Sequence, residues 1–149
     1  MKSLFDPEAY TETKQRLEQI DAGQSPEWGR MKPAQMMRHC QKALEIPLGK
    51  SDLKRPNMFM RLIFRSFKNS MYNDKPWKQN LPTAPGFKVE DERDFETEKK
   101  RLVSLLDEFH EKGKEYDWPR HPVFGSFTKQ QWGQMQFKHL DHHLRQFGV

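Results

Sequence analysis

The chain has a single cysteine, Cys40, among its 149 residues, so it cannot form an internal disulfide. It also lacks a long apolar run: the longest is short and interrupted by arginine and lysine, which argues against a transmembrane helix. The first ten residues, MKSLFDPEAY, contain no apolar stretch typical of a signal peptide. Together these absences predict a cytoplasmic protein without a membrane span.

A large excess of charge of one sign is missing as well. The net charge is +5, but the 26 basic residues are interleaved with 21 acidic ones over most of the length. This pattern favours a solvated, mixed-charge surface and disfavours nucleic acid as the partner. What the chain does have is 11 Phe, 4 Trp, 3 Tyr and 8 Met, which can fill one core. We therefore expect one domain over residues 1–149.

The sequence shows no β-strand period, no internal repeat and no glycine-rich phosphate loop. Instead, helical periodicity and capping residues predict five helices. Their expected ranges are about 7–22, 33–47, 57–70, 90–112 and 129–147. The proline-containing stretch 73–89 predicts a long crossover between the third and fourth helices. The fold class is therefore all-α, a helix bundle with one shorter extra helix.

Three of the six histidines fall within five residues of the last predicted helix, at His139, His142 and His143. At about 100° per residue, His139 and His143 lie one above the other, roughly 6 Å apart along the helix axis. The apolar residues of this helix place His143 inward, His139 on the flank and His142 towards solvent. The spacing thus predicts His139 and His143 as a ligand pair.

A third ligand is available from the second predicted helix, where His39 lies on the flank of the apolar stripe. Three neutral imidazoles form a metal site with open coordination positions, and they suit Zn²⁺, Ni²⁺, Cu²⁺ or Fe²⁺. Gln35 and Gln136, each one turn before a ligand, are predicted hydrogen-bond partners of the site. The alternative, in which the HxxHH histidines are surface residues without a metal, stays open, as does replacement of His143 by His142. Candidate pocket walls are the four tryptophans, Trp28, Trp77, Trp118 and Trp132.

No other catalytic pattern competes with the histidines. The sequence contains no Ser/His/Asp order, no paired-carboxylate motif and no cysteine cluster. Cys40 is interpreted as a small buried residue, since nothing near it in the sequence lowers its pKa.

The segment 55–68 is rich in both large apolar and basic residues. A basic amphipathic helix can lie on a membrane or bind a partner. More often such a helix packs on its own domain with the charges facing outward, and this is the expectation for 55–68.

Two motifs resemble a known family. WGRMKPAQMMRHCQ, which carries His39, and HPVFGSFTKQQWGQMQFKHLDHHLRQFG, which carries His139 and His143, are similar to the DUF1569 branch of the DinB/YfiT-like superfamily of metal-binding four-helix bundles. The resemblance implies an up-down-down-up bundle whose metal is held by His39, His139 and His143. It also implies chemistry like that of thiol-dependent transferases and isomerases that use mycothiol or bacillithiol. The chain departs from the pattern at Gln146, where many relatives have histidine, and in the segment 50–72.

The first hypothesis is thus a divalent-metal-dependent enzyme, a thiol-dependent transferase or hydrolase with a small-molecule substrate. Its cofactors would be Zn, Ni or Fe at the three histidines and a low-molecular-weight thiol. A homodimer is left open. The second hypothesis is a non-catalytic binding module that uses 55–68 to contact nucleic acid or acidic surfaces.

Overall fold

A computed structural model describes residues 1–52 and 56–149 of the protein. It contains five α-helices: α1 Pro7–Glu18, α2 Pro33–Glu45, α3 Met58–Ser66, α4 Phe95–Lys112 and α5 Lys129–Gln146. Two short 3₁₀ helices, Lys68–Met71 and Pro85–Phe87, lie between α3 and α4. Residues 1–52 and 56–149 contain no β-strand, so the predicted all-helical class is confirmed. None of the helices is long and apolar enough to cross a membrane.

The predicted start of α5 was accurate. Thr128 accepts a hydrogen bond from the Gln131 amide at 3.1 Å, and Gln131 accepts one from the Thr128 amide at 2.9 Å, which is the expected capping box before α5. The predicted start of α4 at residue 90 was wrong. That helix begins at Phe95 because the Asp94 carboxylate accepts the amide hydrogen of Thr97.

The core lies between two helix pairs. α2 packs most extensively on α4, and α1 packs on α5. Its fully buried side chains include Leu17, Met37, Leu44, Leu102, Leu106, Phe109, Trp132 and Leu140. Cys40 is among the buried residues, as predicted. Burial of these large apolar groups supplies most of the driving force for assembly.

Two tryptophans that the sequence suggested as pocket walls belong to this core instead. Trp118 lies against Phe109, with ring centroids 4.5 Å apart, and its indole N–H donates to the Gly113 carbonyl. Trp132 is completely buried and donates to the Pro119 carbonyl. Both indoles thus act as core residues whose single polar atom is satisfied locally.

The long crossover between α3 and α4 lies against α5. Its attachment depends on Lys138, a buried lysine of α5. The Lys138 ammonium donates to the Ser70 carbonyl at 2.7 Å, to the Asn73 carbonyl at 2.9 Å and to the Asn73 side-chain oxygen at 2.6 Å. Three acceptors match the three donors of an ammonium group, so the charge is buried without an unpaired proton. Trp77 follows in the crossover and donates from its indole N–H to Ser70.

The expectation that segment 55–68 packs its apolar side on the domain was wrong. No residue of α3 is buried, and the large apolar side chains Met58, Phe59 and Leu62 are 85%, 71% and 68% exposed. α3 is also shorter than predicted, because the chain tightens into the 3₁₀ helix Lys68–Met71. Arg55, at the start of the segment, lies outside the described residues.

Candidate metal centre

The three predicted ligands converge between α2 and α5. His39 and His143 are buried, His139 is partly buried, and one ring nitrogen of each lies within 4.8 Å of those of the other two. The Nε2 atoms of His39 and His139 are 3.0 Å apart. The His143 ring lies 4.6 Å from that of His39 and 4.8 Å from that of His139, measured between centroids. The convergence expected from the i, i+4 spacing and from the flank position of His39 is therefore present.

His39 is oriented by the crossover. Its Nδ1 lies 2.9 Å from the Phe87 carbonyl oxygen at the end of the second 3₁₀ helix. A carbonyl can only accept, so Nδ1 carries the hydrogen. In the neutral ring, Nε2 then presents its lone pair to the other two histidines, which is the tautomer that a metal ligand needs.

His143 is oriented in the same way by Gln146, one turn further along α5. The His143 Nδ1–H donates to Gln146 Oε1 at 2.8 Å, and Gln146 Nε2 donates to the Trp28 carbonyl at 2.7 Å. The second bond fixes which end of the amide faces His143. Gln146 therefore leaves the Nε2 lone pair of His143 free for a ligand role.

His139 differs from both, because its buried Nδ1 has no hydrogen-bond partner in the part of the chain that the structure describes. Its ring is covered by Trp77, with centroids 5.9 Å apart. With Nδ1–H on His39, the 3.0 Å contact between the two Nε2 atoms requires either a hydrogen on His139 Nε2 or a cation between them. With a cation in this position, the Nε2 lone pairs of His39, His139 and His143 could all serve as ligands.

Burial keeps all three rings neutral. It lowers the pKa of His39 and holds the pKa of His139 well below the usual value for histidine. Burial, reinforced by the neighbouring His39, lowers the pKa of His143 to about 3 although its bond to Gln146 acts in the opposite direction. Two protonated rings in this cluster would also repel each other, which lowers the pKa values further. Neutral imidazoles are the form that binds divalent transition metals.

The donor set fits a metal ion in distance as well as in charge. Two nitrogens about 2.1 Å from one ion lie about 3.0 to 3.4 Å apart for bond angles between 90° and 109°. The Nε2 atoms of His39 and His139 already meet this distance. Since the ring nitrogens lie within 4.8 Å of one another, the widest pair would have to close by up to about 1.4 Å to reach the tetrahedral separation.

A cavity of about 520 Å³ opens beside this cluster. Its lining includes Trp28, Arg30, Gln35, Asn80, His142, His143 and Gln146. A cavity of this size holds a small molecule rather than a polymer segment. His143 is the predicted ligand that reaches the cavity, so a molecule bound there would lie next to the three imidazoles.

The helical wheel predicted that His142 points towards solvent, and this was wrong. His142 is buried and lines the cavity. Its ring is flanked by Trp28 at 5.8 Å and Trp77 at 5.7 Å between centroids. The prediction failed because the wheel considered only the apolar face of α5. The loop before α2 and the crossover cover the polar face, so α5 is enclosed on both sides. The two tryptophans are the predicted pocket walls that do border the histidines.

Neither predicted glutamine partner forms a hydrogen bond with a histidine. Gln35 accepts from the Lys32 amide and donates to the Asp91 carbonyl, although it does line the cavity. Gln136 donates to the Ala43 carbonyl at 3.0 Å. The residue that takes this role is Gln146, three positions after His143. The HxxQ spacing of His143 and Gln146 was the available signal, since i, i+3 side chains are neighbours on a helix.

The remaining histidines have structural partners elsewhere. His110 stacks on Tyr10 and donates to the Leu4 carbonyl. His121 Nδ1 accepts the amide hydrogens of Val123 and Phe124, and burial lowers its pKa to about 4. Burial likewise raises the pKa of the Cys40 thiol, so this residue is not a nucleophile at neutral pH.

Comparison with known proteins gives a family but no characterised relative. A search of the curated proteins and of the solved structures found no match. The family model described as "Protein of unknown function (DUF1569)" matches residues 4–148, which include every histidine described above. The chain therefore belongs to the DUF1569 family.

Proposed function

We propose that the protein is a divalent-metal-dependent enzyme whose metal is held by His39, His139 and His143. The observation that carries the proposal is the convergence of three neutral imidazoles within 4.8 Å. Two of them are fixed as Nδ1–H tautomers by Phe87 and Gln146. The third, His139, brings its Nε2 to 3.0 Å from the Nε2 of His39, a separation that two ligands of one ion have.

The proposed reaction is thiol transfer or hydrolysis of a small molecule bound in the 520 Å³ cavity. A divalent ion of zinc, nickel or iron supplies Lewis-acid chemistry, because it polarises a substrate atom and lowers the pKa of a water or a low-molecular-weight thiol. Trp28 and Trp77 limit the access of water to the histidines. His142, whose buried Nδ1 lacks a partner among the described residues, is placed to donate to or accept from the bound molecule.

The same proposal covers the finer features of the fold. Residues 1–149 would form one domain, with α1, α2, α4 and α5 as an up-down-down-up bundle of the DinB type. The packing of α2 on α4 and of α1 on α5 supports this arrangement. We further propose that the enzyme acts in the cytoplasm, either alone or as a homodimer.

Metal analysis of the purified protein tests the proposal. We expect one divalent ion per chain in the wild type and in His110→Gln, a histidine variant outside the cluster. His139→Ala should lose most of the ion. A wild type without a stoichiometric ion, or an unchanged metal content in His139→Ala, would refute the metal site. A screen of thiol-transfer and hydrolase substrates, with and without a chelator, then tests the reaction class.

A further inference from the structure

The outer face of α3 and of the turn that follows it is apolar and uncovered. Six large apolar side chains in the described ranges are exposed, and five of them belong to this one face: Met58, Phe59, Leu62, Ile63 and Phe67. Single exposed apolar residues are normal on a protein surface, but a contiguous group marks an interaction site. We call these five residues the α3 face.

The opposite side of α3 attaches it to the protein. Met60 and Phe64 are partly buried, and the Phe64 ring contacts that of Phe124 at 6.3 Å between centroids. At about 100° per residue, the exposed apolar residues of α3 occupy one half of the helix and Arg61 and Arg65 border it. The side of α3 that contacts the protein is thus opposite the α3 face, which points outward.

The charges around the α3 face have one sign. Arg61 and Arg65 are exposed and form no ion pair with the residues that the structure describes, and Lys68 follows them. In the sequence, no acidic residue occurs between positions 53 and 73. A second copy of the chain would bring two sets of arginines together, which opposes a dimer through this face. A nucleic acid would satisfy the arginines but leave the apolar residues without a partner.

We propose that the α3 face docks the protein on an anionic lipid surface. The apolar side chains enter the boundary between headgroups and acyl chains, while Arg61 and Arg65 contact lipid phosphates. This combination of apolar insertion and basic flanks is the pattern of an interfacial helix lying in the membrane plane. The docking does not depend on the proposed metal chemistry, because none of its residues touches the histidine cluster.

Vesicle co-sedimentation of the full chain tests the docking. We expect binding to vesicles of phosphatidylcholine mixed with phosphatidylglycerol, and little binding to phosphatidylcholine alone. The double variant Phe59→Ser/Leu62→Ser should reduce binding at least about tenfold. Arg61→Ser and Arg65→Ser should each reduce it about fivefold, and Lys100→Ser on α4 is the matched control that should bind like the wild type. Equal binding to both vesicle types would overturn the proposal.

Fluorescence locates the contact. Cys40 is buried, so a polarity-sensitive thiol dye can be directed to Phe59→Cys, with Lys100→Cys as the control position. Anionic vesicles should shift the emission of the dye to the blue at position 59 and leave it unchanged at position 100. A shift of the same size at both positions would refute docking through α3. A concentration-dependent dimer that the double variant abolishes, without vesicle binding, would assign the α3 face to a second copy and also overturn the proposal.

Discussion

Gln146 should control metal affinity without touching the metal. It accepts the Nδ1 hydrogen of His143 at 2.8 Å and is itself held by the Trp28 carbonyl at 2.7 Å. Replacement by leucine keeps the side-chain volume but removes the acceptor. His143 would then be free to move its hydrogen to Nε2, and metal binding would have to reverse that change.

The expected loss for Gln146→Leu is about 10- to 100-fold in metal affinity, or about 1.4 to 2.7 kcal/mol. Competition with a chromogenic zinc chelator at pH 7.5 measures it directly. Gln146→Glu retains an acceptor facing His143 but cannot donate to the Trp28 carbonyl, so it should lose less zinc affinity than Gln146→Leu.

Gln136→Leu is the matched control, because Gln136 is also a buried glutamine of α5 but donates to Ala43 instead. Its zinc affinity should stay within about twofold of the wild type even if its melting temperature falls. The reasoning is refuted if Gln146→Leu retains wild-type affinity, or if Gln136→Leu loses as much affinity as Gln146→Leu.

Three further predictions concern the surroundings of the site. Gly29→Ala should weaken zinc binding, because the backbone φ at this position is +80° and the added Cβ would lie 2.7 Å from Gln146 Nε2. Chelator competition measures the effect. Gly49→Ala is the control, because Gly49 has a similar φ of +68° but nothing lies within reach of an added Cβ. Lys138→Met should lower the free energy of unfolding by about 2 kcal/mol, because Ser70 and Asn73 lose their charge-assisted hydrogen bonds to the ammonium group. Urea titration measures this loss. An unchanged free energy of unfolding would show that Lys138 does not hold the crossover. The folded pKa of His121, about 4, lies below the unfolded value near 6.5, so its stabilisation is complete above pH 6.5 and is lost as the pH falls towards 4. His121→Asn should therefore remove about 2 kcal/mol of the stability difference between pH 7 and pH 5 in urea titrations; an unchanged difference would contradict it.

Side-chain spacing was sufficient to predict the histidine cluster, but not what surrounds it. His139 and His143 lie on one face of α5 because four residues are close to one helical turn. His39 could be placed because the apolar stripe of α2 orients the helix. Phe87 could not be predicted, because its contribution is a backbone carbonyl that any residue could provide. The burial of His142 was not predicted, because it depends on the crossover. The crossover has no regular apolar pattern from which its position could be predicted.

For the α3 face, the sequence predicted the helix but not what its apolar side contacts. Its amphipathic pattern was recognised in the sequence, but a pattern of this kind does not say whether the partner is the protein's own core or another surface. Burial of the apolar side would have required a complementary apolar area on α4 or α5. The apolar residues of those helices pack against α1 and α2 instead.

The crossover links the proposed metal site to the stability of the protein. It provides the Phe87 carbonyl that fixes His39, and it places Trp77 over His139. Since these contacts require the crossover to be in place, an ion that binds only the assembled cluster must also stabilise the crossover. Zinc should therefore slow amide hydrogen exchange in residues 73–88 more than in α4, which contributes no residue to the cluster. Equal protection of the two regions would mean that the histidines are preformed independently of the crossover, and that Phe87 does not position His39.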